Sequence, residues 1–239
     1  MLTLDHIAVA CTSLEDGTAW VQDRLGVELQ QGGQHPRYGT HNMLLGLADG
    51  LYLEVIAKDP DARAEAGHSW FDLDRFYGAP RLANWICQTE NIAAAPKVAG
   101  APRALTRGDL AWRITVPDDG SLPFGGAFPT LIEWAKGTQH PASKLAQSGC
   151  KLVRFEVAHP YATEISEMLT MDDPRVHMTT GDFAMQATFE TPHGIRKLRQ
   201  SVPPPLPMRP KSQTFGTMRF APQRSPLTRL RNPTSRWQN

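Results

Sequence analysis

The segment Leu2–Cys11, with the sequence LTLDHIAVAC, is the stretch from which the fold can be worked out. It is mostly apolar, it is followed by the polar pair Thr12-Ser13, and it contains a single imidazole, at His6. A short apolar run bounded by small polar residues is typical of a β-strand. The chain is therefore predicted to begin with a strand that carries one residue capable of chemistry.

Side chains alternate between the two faces of a strand, and this divides the first strand into two sets. Leu4, His6 and Ala8 are predicted to share one face, while Ile7 and Val9 take the other. The Ile7 and Val9 face can pack beneath a helix. The His6 face can then line a cavity. The central question is which other residues the fold places close to His6.

The first eighty residues predict the order strand, helix, strand, strand, strand. Ser13 can cap a helix, because Asp16 stands at the capping-box position, and Gly26 can end it. Two dense apolar segments, 41–47 and 51–57, are then joined by the Asp49-Gly50 pair, which is typical of a hairpin turn.

The same order of elements recurs later in the chain, at intervals of roughly 70 to 80 residues. The second pass contains a predicted helix over 91–99, capped by Asn91 and weakened by Pro96, and the third pass predicts a shorter strand-helix-strand-strand series. This pattern favours duplicated small α+β modules over a doubly wound parallel sheet. The predicted units are a first βαβββ module at 1–80, a second at 81–141, a third, shorter module at 142–200, and a tail at 201–239.

The composition is that of an ordinary globular chain. Of 239 residues, 41% are hydrophobic and 21% are charged, with a formal net charge of +1, which gives no reason to expect a nucleic-acid partner. No apolar run approaches the roughly 18 residues of a membrane span, and a strand so close to the N-terminus leaves no room for a signal peptide. The three cysteines, Cys11, Cys87 and Cys150, lack metal-binding spacing. They indicate reduced, buried thiols and a cytoplasmic protein.

The segment 201–239 has a different composition from the rest. It is rich in proline and in Arg and Lys, and it contains no Asp or Glu. Such a segment cannot bury enough apolar surface to offset its conformational entropy, so it is predicted to be disordered. A solvated extension is the favoured interpretation, with contact to an acidic partner as the alternative.

Two carboxylates stand in the middle of apolar strands: Glu54 between Leu53 and Val55, and Glu133 between Ile132 and Trp134. Burying a carboxylate is costly unless it is paired, hydrogen-bonded or bound to a cation. Together with His6, these two residues predict a site for a divalent metal. A simple ion pair and an exposed strand face remain the alternatives.

Several segments in the right order resemble the glyoxalase-like branch of the vicinal oxygen chelate superfamily. In the first half these are DHIAV at 5–9, GTHN at 39–42 and YLEVI at 52–56; in the second half they are FPTLIEW at 128–134 and the later pair His140-Pro141, preceded by Trp112-Arg113. The resemblance covers residues 1 to 198. It implies βαβββ modules whose strongly curved mixed sheets form an open barrel around a cavity.

The resemblance also implies a metal centre. Its ligands would be His6, Glu54 and Glu133, holding one divalent ion of Zn, Ni, Mn, Co or Fe. A fourth position falls in 82–87, where the candidates are Asn84 and Trp85, and an indole cannot ligate a metal. The site would then be three-coordinate plus water, would borrow His41 from the adjacent strand, or would have lost its metal.

The function implied is that of a metal-dependent lyase or isomerase acting on a small metabolite with neighbouring oxygen atoms, with a dioxygenase as a less favoured use of the fold. Glu133 or Glu54 would move a proton, and the expected substrate contacts are His41, Asn42, Trp85 and Trp112. The alternative is a non-catalytic protein that sequesters a small molecule in the same cavity. A monomer and a homodimer are both compatible with the modules.

Overall fold

The computed structural model describes residues 1–200, and the predicted tail 201–239 lies outside the described residues. Within 1–200, twelve strands form a single mixed sheet. The first unit consists of β1 (Thr3–Ala10), α1 (Leu14–Leu25), β2 (Gln30–His35), β3 (Thr40–Leu47) and β4 (Tyr52–Lys58). The second consists of β5 (Arg81–Gln88), β6 (Ala101–Arg107), β7 (Leu110–Val116) and β8 (Thr130–Trp134). The third consists of β9 (Gln147–Ala158), α2 (Ala162–Glu167), β10 (Val176–Thr179), β11 (Ala184–Thr191) and β12 (Gly194–Arg199).

The helix α1 begins and ends where the sequence predicts. The Ser13 hydroxyl accepts a hydrogen bond from the backbone N–H of Asp16 at 3.1 Å, which satisfies one of the free donors of the first turn. Gly26 closes the helix in the left-handed conformation, with φ of 73°. Val21 and Leu25 are fully buried, so this helix covers the Ile7 and Val9 face of β1.

The predicted helix over 91–99 is wrong. Two short 3-10 turns, Ile92–Ala94 and Lys97–Ala99, take its place. Pro96 explains the break, because proline has no N–H to donate and its ring disfavours the helical conformation at the preceding residue, Ala95. Ala95 is accordingly extended, with ψ of 138°.

The first two units share one connectivity. Their strands follow the spatial orders β1-β4-β3-β2 and β5-β8-β7-β6, and the units join where β1 and β5 pair antiparallel. The predicted α+β fold class, a curved mixed sheet built from repeated units, is confirmed. The second unit lacks the α-helix of the βαβββ pattern, because two 3-10 turns stand in its place. The third unit differs, because β9 lies between β10 and β11, and because a further strand, β12, pairs with β11.

A β-bulge in β1 changes which residues share a face. Leu4 pairs with Cys87 and His6 pairs with Ile86, so Asp5 is an extra residue with no partner of its own. Leu4 consequently packs in the same apolar cluster as Ile7, and its predicted place beside His6 is wrong. The bulge leaves Asp5 free to turn its carboxylate towards His6.

Two large apolar clusters pack against the sheet, and a third, small cluster consists of Leu44, Tyr52 and Ala142. The larger one contains α1 and much of the third unit, with Trp85, Phe128 and Phe155 among its fully buried side chains. The second is richer in aromatic residues and includes Trp70 and Trp112. The candidate site lies against this second cluster. Neither helix within residues 1–200 has the length and apolar character needed to cross a bilayer.

Candidate functional site

A narrow cavity of about 40 Å³ lies within the sheet, large enough for a few water molecules or for the end of a small molecule. Its polar side chains come from β1, β2, β3, β4 and β6, and β7 and β8 contribute apolar and aromatic side chains. The polar side chains that line it are His6, His35, Asn42, Tyr52, Glu54 and Arg107. The indole rings that line it are Trp70, Trp112 and Trp134.

Three charged side chains meet at the base of the cavity. His6 Nδ1 is 2.6 Å from Asp5 Oδ1, and His6 Nε2 is 3.7 Å from Glu54 Oε2. The side chains of His6 and Glu54 are each only 6% exposed, and that of Asp5 is fully buried. We refer to Asp5, His6 and Glu54 as the buried triad.

The pKa shifts in the triad support one another. Burial opposes charge on His6, but the contacts with Asp5 and Glu54 outweigh it and raise the pKa of His6 from 6.5 to about 9. Burial likewise favours neutral carboxyls, yet hydrogen bonds from His140 and His6 hold the pKa of Asp5 well below its ordinary value. Burial is also outweighed at Glu54, whose pKa is lowered by His6. At neutral pH the triad therefore contains two carboxylates around one imidazolium.

Asp5 receives two further hydrogen bonds from the second unit. Trp134 Nε1 donates to Asp5 Oδ2 at 2.8 Å, and His140 Nε2 lies 3.1 Å from the same oxygen. His140 Nδ1 accepts from the backbone N–H of Ala142, so the proton of His140 is on Nε2 and points at Asp5. The turn at His140-Pro141 thus holds the triad in place.

The carboxylate of Glu54 is oriented by an amide whose own direction is fixed. The backbone N–H of Gly33 donates to Asn42 Oδ1 at 2.7 Å, which leaves Asn42 Nδ2 to donate to Glu54 Oε1 at 2.5 Å. A side chain at Gly32 would prevent this, since a Cβ there would stand 2.0 Å from Asn42 Oδ1. Asn42, predicted as a substrate contact, faces the cavity and positions Glu54.

His35 is a cavity residue for which the sequence offered no partner. Its Nδ1 lies 3.1 Å from Thr40 Oγ1, and its Nε2 lies 3.0 Å from Arg107 Nη1. Burial and the nearby charge of Arg107 lower the pKa of His35 from 6.5 to about 4, despite the opposing effect of Glu54. His35 is therefore neutral at pH 7. Because its Nε2 must accept from Arg107, its proton is on Nδ1.

Tyr52 covers the ring of His6. The two rings are stacked with their centroids 4.2 Å apart and their planes 16° from parallel. Burial and the carboxylates of Asp5 and Glu54 raise the pKa of Tyr52 well above its ordinary value of 10. Its phenol is therefore protonated, and the ring limits access to one side of His6.

Glu133 does not join His6 and Glu54. Its Oε1 pairs with Arg113, and its Oε2 accepts from the backbone N–H of Ile92 at 2.7 Å, contacts that lower its pKa. The neighbours of Glu133 on β8, Ile132 and Trp134, are the ones that line the cavity. Because strand side chains alternate, Glu133 points to the opposite face, and the predicted role of Glu133 as ligand or base is wrong.

Of the other residues predicted to contact substrate, some line the cavity and some do not. Trp112 lines the cavity as predicted. Trp85 is buried in the larger apolar cluster, where its Nε1 donates to the backbone oxygen of Ala127 at 3.2 Å, and Asn84 donates to Thr130 Oγ1 at 2.8 Å. His41 precedes Asn42 on β3 and so points away from the cavity. Trp85 and His41 therefore do not serve as substrate contacts.

The donor set does not fit the implied divalent metal. His6 Nδ1 is held by Asp5, so only Nε2 could serve as a ligand, and it faces Glu54 at 3.7 Å. Glu54 is engaged with Asn42 and His6, and Glu133 lies on the other face. Within residues 1–200 no group of three His, Cys, Asp or Glu side chains is arranged to hold a metal ion. The predicted three-residue metal centre is not formed.

Two paired four-stranded units that enclose a polar cavity in a curved sheet are the architecture of the vicinal oxygen chelate class. The sequence profile of the glyoxalase-like domain matches residues 4–171, and the chain belongs to this family. No curated protein matches the sequence.

Solved structures agree on the fold. A hypothetical protein from Staphylococcus aureus has a TM-score of 0.53 and 17% identity, with coverage of 77% of this chain and 88% of that one. Methylmalonyl-CoA epimerase from Mycobacterium tuberculosis has a TM-score of 0.35 and 17% identity, with coverage of 55% and 85%. The first likeness concerns the fold alone, and the second is too low to bear on this chain's reaction.

Proposed function

We propose that this glyoxalase-like protein is a lyase or isomerase that transfers a proton on a small metabolite with neighbouring oxygen atoms, without a metal ligated by the triad. The observation that supports this proposal is the buried triad itself. Three charged side chains at the base of a cavity are costly to bury, and strongly shifted pKa values of this kind cluster at functional sites. The metal-dependent mechanism expected from the family resemblance is set aside because the donor set does not fit it.

The gap between His6 and Glu54 is where the chemistry would occur. The 3.7 Å separation of His6 Nε2 and Glu54 Oε2 is longer than a hydrogen bond, so a substrate oxygen can take the Nε2 proton instead. Glu54 would remove a proton from the carbon next to the substrate's carbonyl group. The electron pair of the broken C–H bond forms a C=C bond, the carbonyl opens, and its oxygen receives the proton of His6.

The two proton transfers assist each other. Glu54 has a lowered pKa because the charged ring of His6 lies beside it. When His6 gives its proton to the substrate oxygen, that positive charge is lost and Glu54 becomes a stronger base. Asp5 would hold the imidazole in place throughout, in the manner of a carboxylate that orients a catalytic histidine.

The test is exchange of carbon-bound hydrogen with solvent. Dihydroxyacetone, hydroxypyruvate and dihydroxyacetone phosphate share a hydroxyketone group whose protons Glu54 could remove. Incubated with the protein in D₂O, at least one of them should lose its proton NMR signal at the hydroxymethyl carbon faster than without protein. Glu54→Gln should slow this exchange by about a hundredfold or more. Glu133→Gln, on the opposite face, is the matched control and should leave it unchanged.

A second measurement checks the role of metal. Protein purified without a polyhistidine tag should contain well under one equivalent of transition metal, and a chelator should leave the exchange rate unchanged. Loss of exchange on chelation, with recovery on adding zinc or nickel, would contradict the acid–base mechanism.

Sequestration of a small molecule is the second candidate, favoured by the indoles of Trp70, Trp112 and Trp134 in the cavity wall. Aromatic rings supply large rigid contact area for a bound molecule. This function predicts saturable binding without exchange, and binding that survives Glu54→Gln. Exchange that depends on Glu54 would rule it out as the sole function.

A further inference from the structure

We infer that Arg107, assisted by Lys144, binds a negatively charged carboxylate or phosphate group of the substrate, in an open cleft that adjoins the cavity of the triad. This inference rests on the proposed function, since it assigns the substrate class of the same site.

The cleft adjoins the inner cavity. It has a volume of about 590 Å³, and Leu44, Arg107, Leu110 and Pro141 line both spaces. Its other side includes strand β2 and the turn after His140. A small molecule with one end in the cavity would therefore extend into the cleft past Arg107.

The cleft has an excess of positive charge. Arg107 and Lys144 both line it, and no Asp or Glu is among its lining residues within 1–200. Neither cation has a carboxylate within 4.0 Å in the described chain, whereas Arg103, on the same strand as Arg107, pairs with Asp118 at 2.6 Å. An arginine at a cavity mouth with no neutralising partner is suited to an anionic ligand, because its planar fork matches carboxylate and phosphate oxygens.

The guanidinium of Arg107 is held in a defined place. Its Nη1 contacts the neutral ring of His35 at 3.0 Å, which orients the group without cancelling its charge. It also lies across Gly33, where a Cβ would stand 2.9 Å from Nη1 and 3.2 Å from Cζ. The absence of a side chain at Gly33 thus makes room for the guanidinium, and its remaining donors have no partner within residues 1–200.

The charge of the triad decides which end of the substrate enters the cavity. Two carboxyl groups, those of Asp5 and Glu54, stand against the single imidazole of His6 at the base of the cavity. An anionic group would be repelled there and attracted to Arg107 at the mouth. The neutral carbonyl end would then reach His6 and Glu54. The same cation therefore selects the substrate class and sets its direction.

The experiment compares three probes that share one hydroxymethyl ketone and differ in the group at the other end. Dihydroxyacetone is neutral, hydroxypyruvate carries a carboxylate, and dihydroxyacetone phosphate carries a phosphate. Binding measured by calorimetry at low salt should be roughly tenfold to a hundredfold tighter for at least one anionic probe than for the neutral one. The tighter of the two anionic probes identifies carboxylate or phosphate as the recognised group.

Variants then assign the effect to the cleft. Arg107→Gln should abolish the preference for the anionic probe, Arg107→Lys should keep part of it, and Lys144→Gln should reduce it. Arg103→Gln is the matched control and should bind like the wild type. The inference is overturned if neither anionic probe binds more tightly than dihydroxyacetone, or if folded Arg107→Gln, checked by circular dichroism, keeps the full preference.

Failure of this inference is distinguishable from failure of the proposed function. Glu54→Gln should lose hydrogen exchange and keep the anion preference, because it leaves the cleft intact. Arg107-dependent binding without exchange in any variant would refute the proton-transfer proposal alone. Exchange that needs Glu54 but is indifferent to Arg107 and to probe charge would refute the anion site alone.

Discussion

Replacing the buried carboxylate of Asp5 by an amide, Asp5→Asn, tests the electrostatic account of the site directly. Asp5 lies 2.6 Å from His6 Nδ1 and also receives hydrogen bonds from Trp134 and His140. Without its charge, burial should dominate at His6, leaving only Glu54 at 3.7 Å to favour the imidazolium. The pKa of His6 should fall from about 9 by two units or more.

The stability change can be worked from the same contacts. Two to three pKa units correspond to about 3 to 4 kcal/mol, and removing one partner of a buried ion pair costs about 3–5 kcal/mol, so Asp5→Asn should lower the free energy of unfolding by about 3 kcal/mol at pH 7. Urea unfolding measures this value, and an NMR titration of the His6 ring measures the pKa.

The control for Asp5→Asn is an exposed ion pair. Asp118→Asn removes a carboxylate that pairs with Arg103 at the surface, and it should change stability by no more than about 0.5 kcal/mol. If Asp5→Asn leaves the pKa of His6 near 9, or is no more destabilising than Asp118→Asn, then the triad is not the coupled charge network described here.

Two further predictions concern pH and backbone space. The pKa of His6 is raised from 6.5 to about 9, so its contribution of about 3 kcal/mol is complete below pH 6.5 and is lost as pH rises through 9. The pKa of His35 is lowered to about 4, so the free energy of unfolding should also fall as the pH drops from 6.5 towards 4. Urea unfolding across pH 4 to 10 measures both effects. A free energy of unfolding that stays constant above pH 6.5 would contradict the assignment at His6. Gly32→Ala should destabilise by about 1–3 kcal/mol, because its Cβ would collide with Asn42, whereas Gly181→Ala, whose nearest contact is 3.8 Å away, should show little change in the urea midpoint.

Much of the fold could be predicted because it depends on local patterns. The capping residue Ser13 and the helix-ending Gly26 mark α1, and the repeated strand order follows from apolar segments separated by turn residues. The proximity of two residues on adjacent strands of such a unit can also be predicted in part. His6 and Glu54 are brought within 3.7 Å for that reason, since β1 and β4 pair in parallel.

The prediction for Glu133 was wrong because a register shift of one residue decides which face of a strand a side chain lies on. Glu133 was placed by its apolar neighbours, Ile132 and Trp134, but a shift by one residue exchanges the two faces of a strand. The face of β8 that carries Glu133 became apparent only from its partners, Arg113 and Ile92. Flanking hydrophobicity identifies a buried strand without saying which of its faces meets the cavity.

The contacts that complete the site join residues far apart in the chain. Arg107 reaches His35 across 72 positions, and His140 reaches Asp5 across 135, through the fold of the hairpins rather than any periodic pattern. No local spacing rule connects such pairs. The neutral state of His35 and the lack of a carboxylate partner at Arg107 therefore could not be predicted from the sequence.

The bulge at Asp5 links the fold to the proposed chemistry. In an unbroken strand, Asp5 would face away from His6, and the imidazole would meet only Glu54, leaving its nitrogen open to a metal. The extra residue instead turns a second carboxylate onto His6 Nδ1, and the two anions hold the ring protonated near neutral pH. A protonated ring stabilises developing negative charge on a substrate oxygen, which is the task a divalent cation performs at such a site. On this argument, the bulge in β1 places two carboxylates against one imidazole, and in the proposed mechanism the charged ring takes the role of a bound cation.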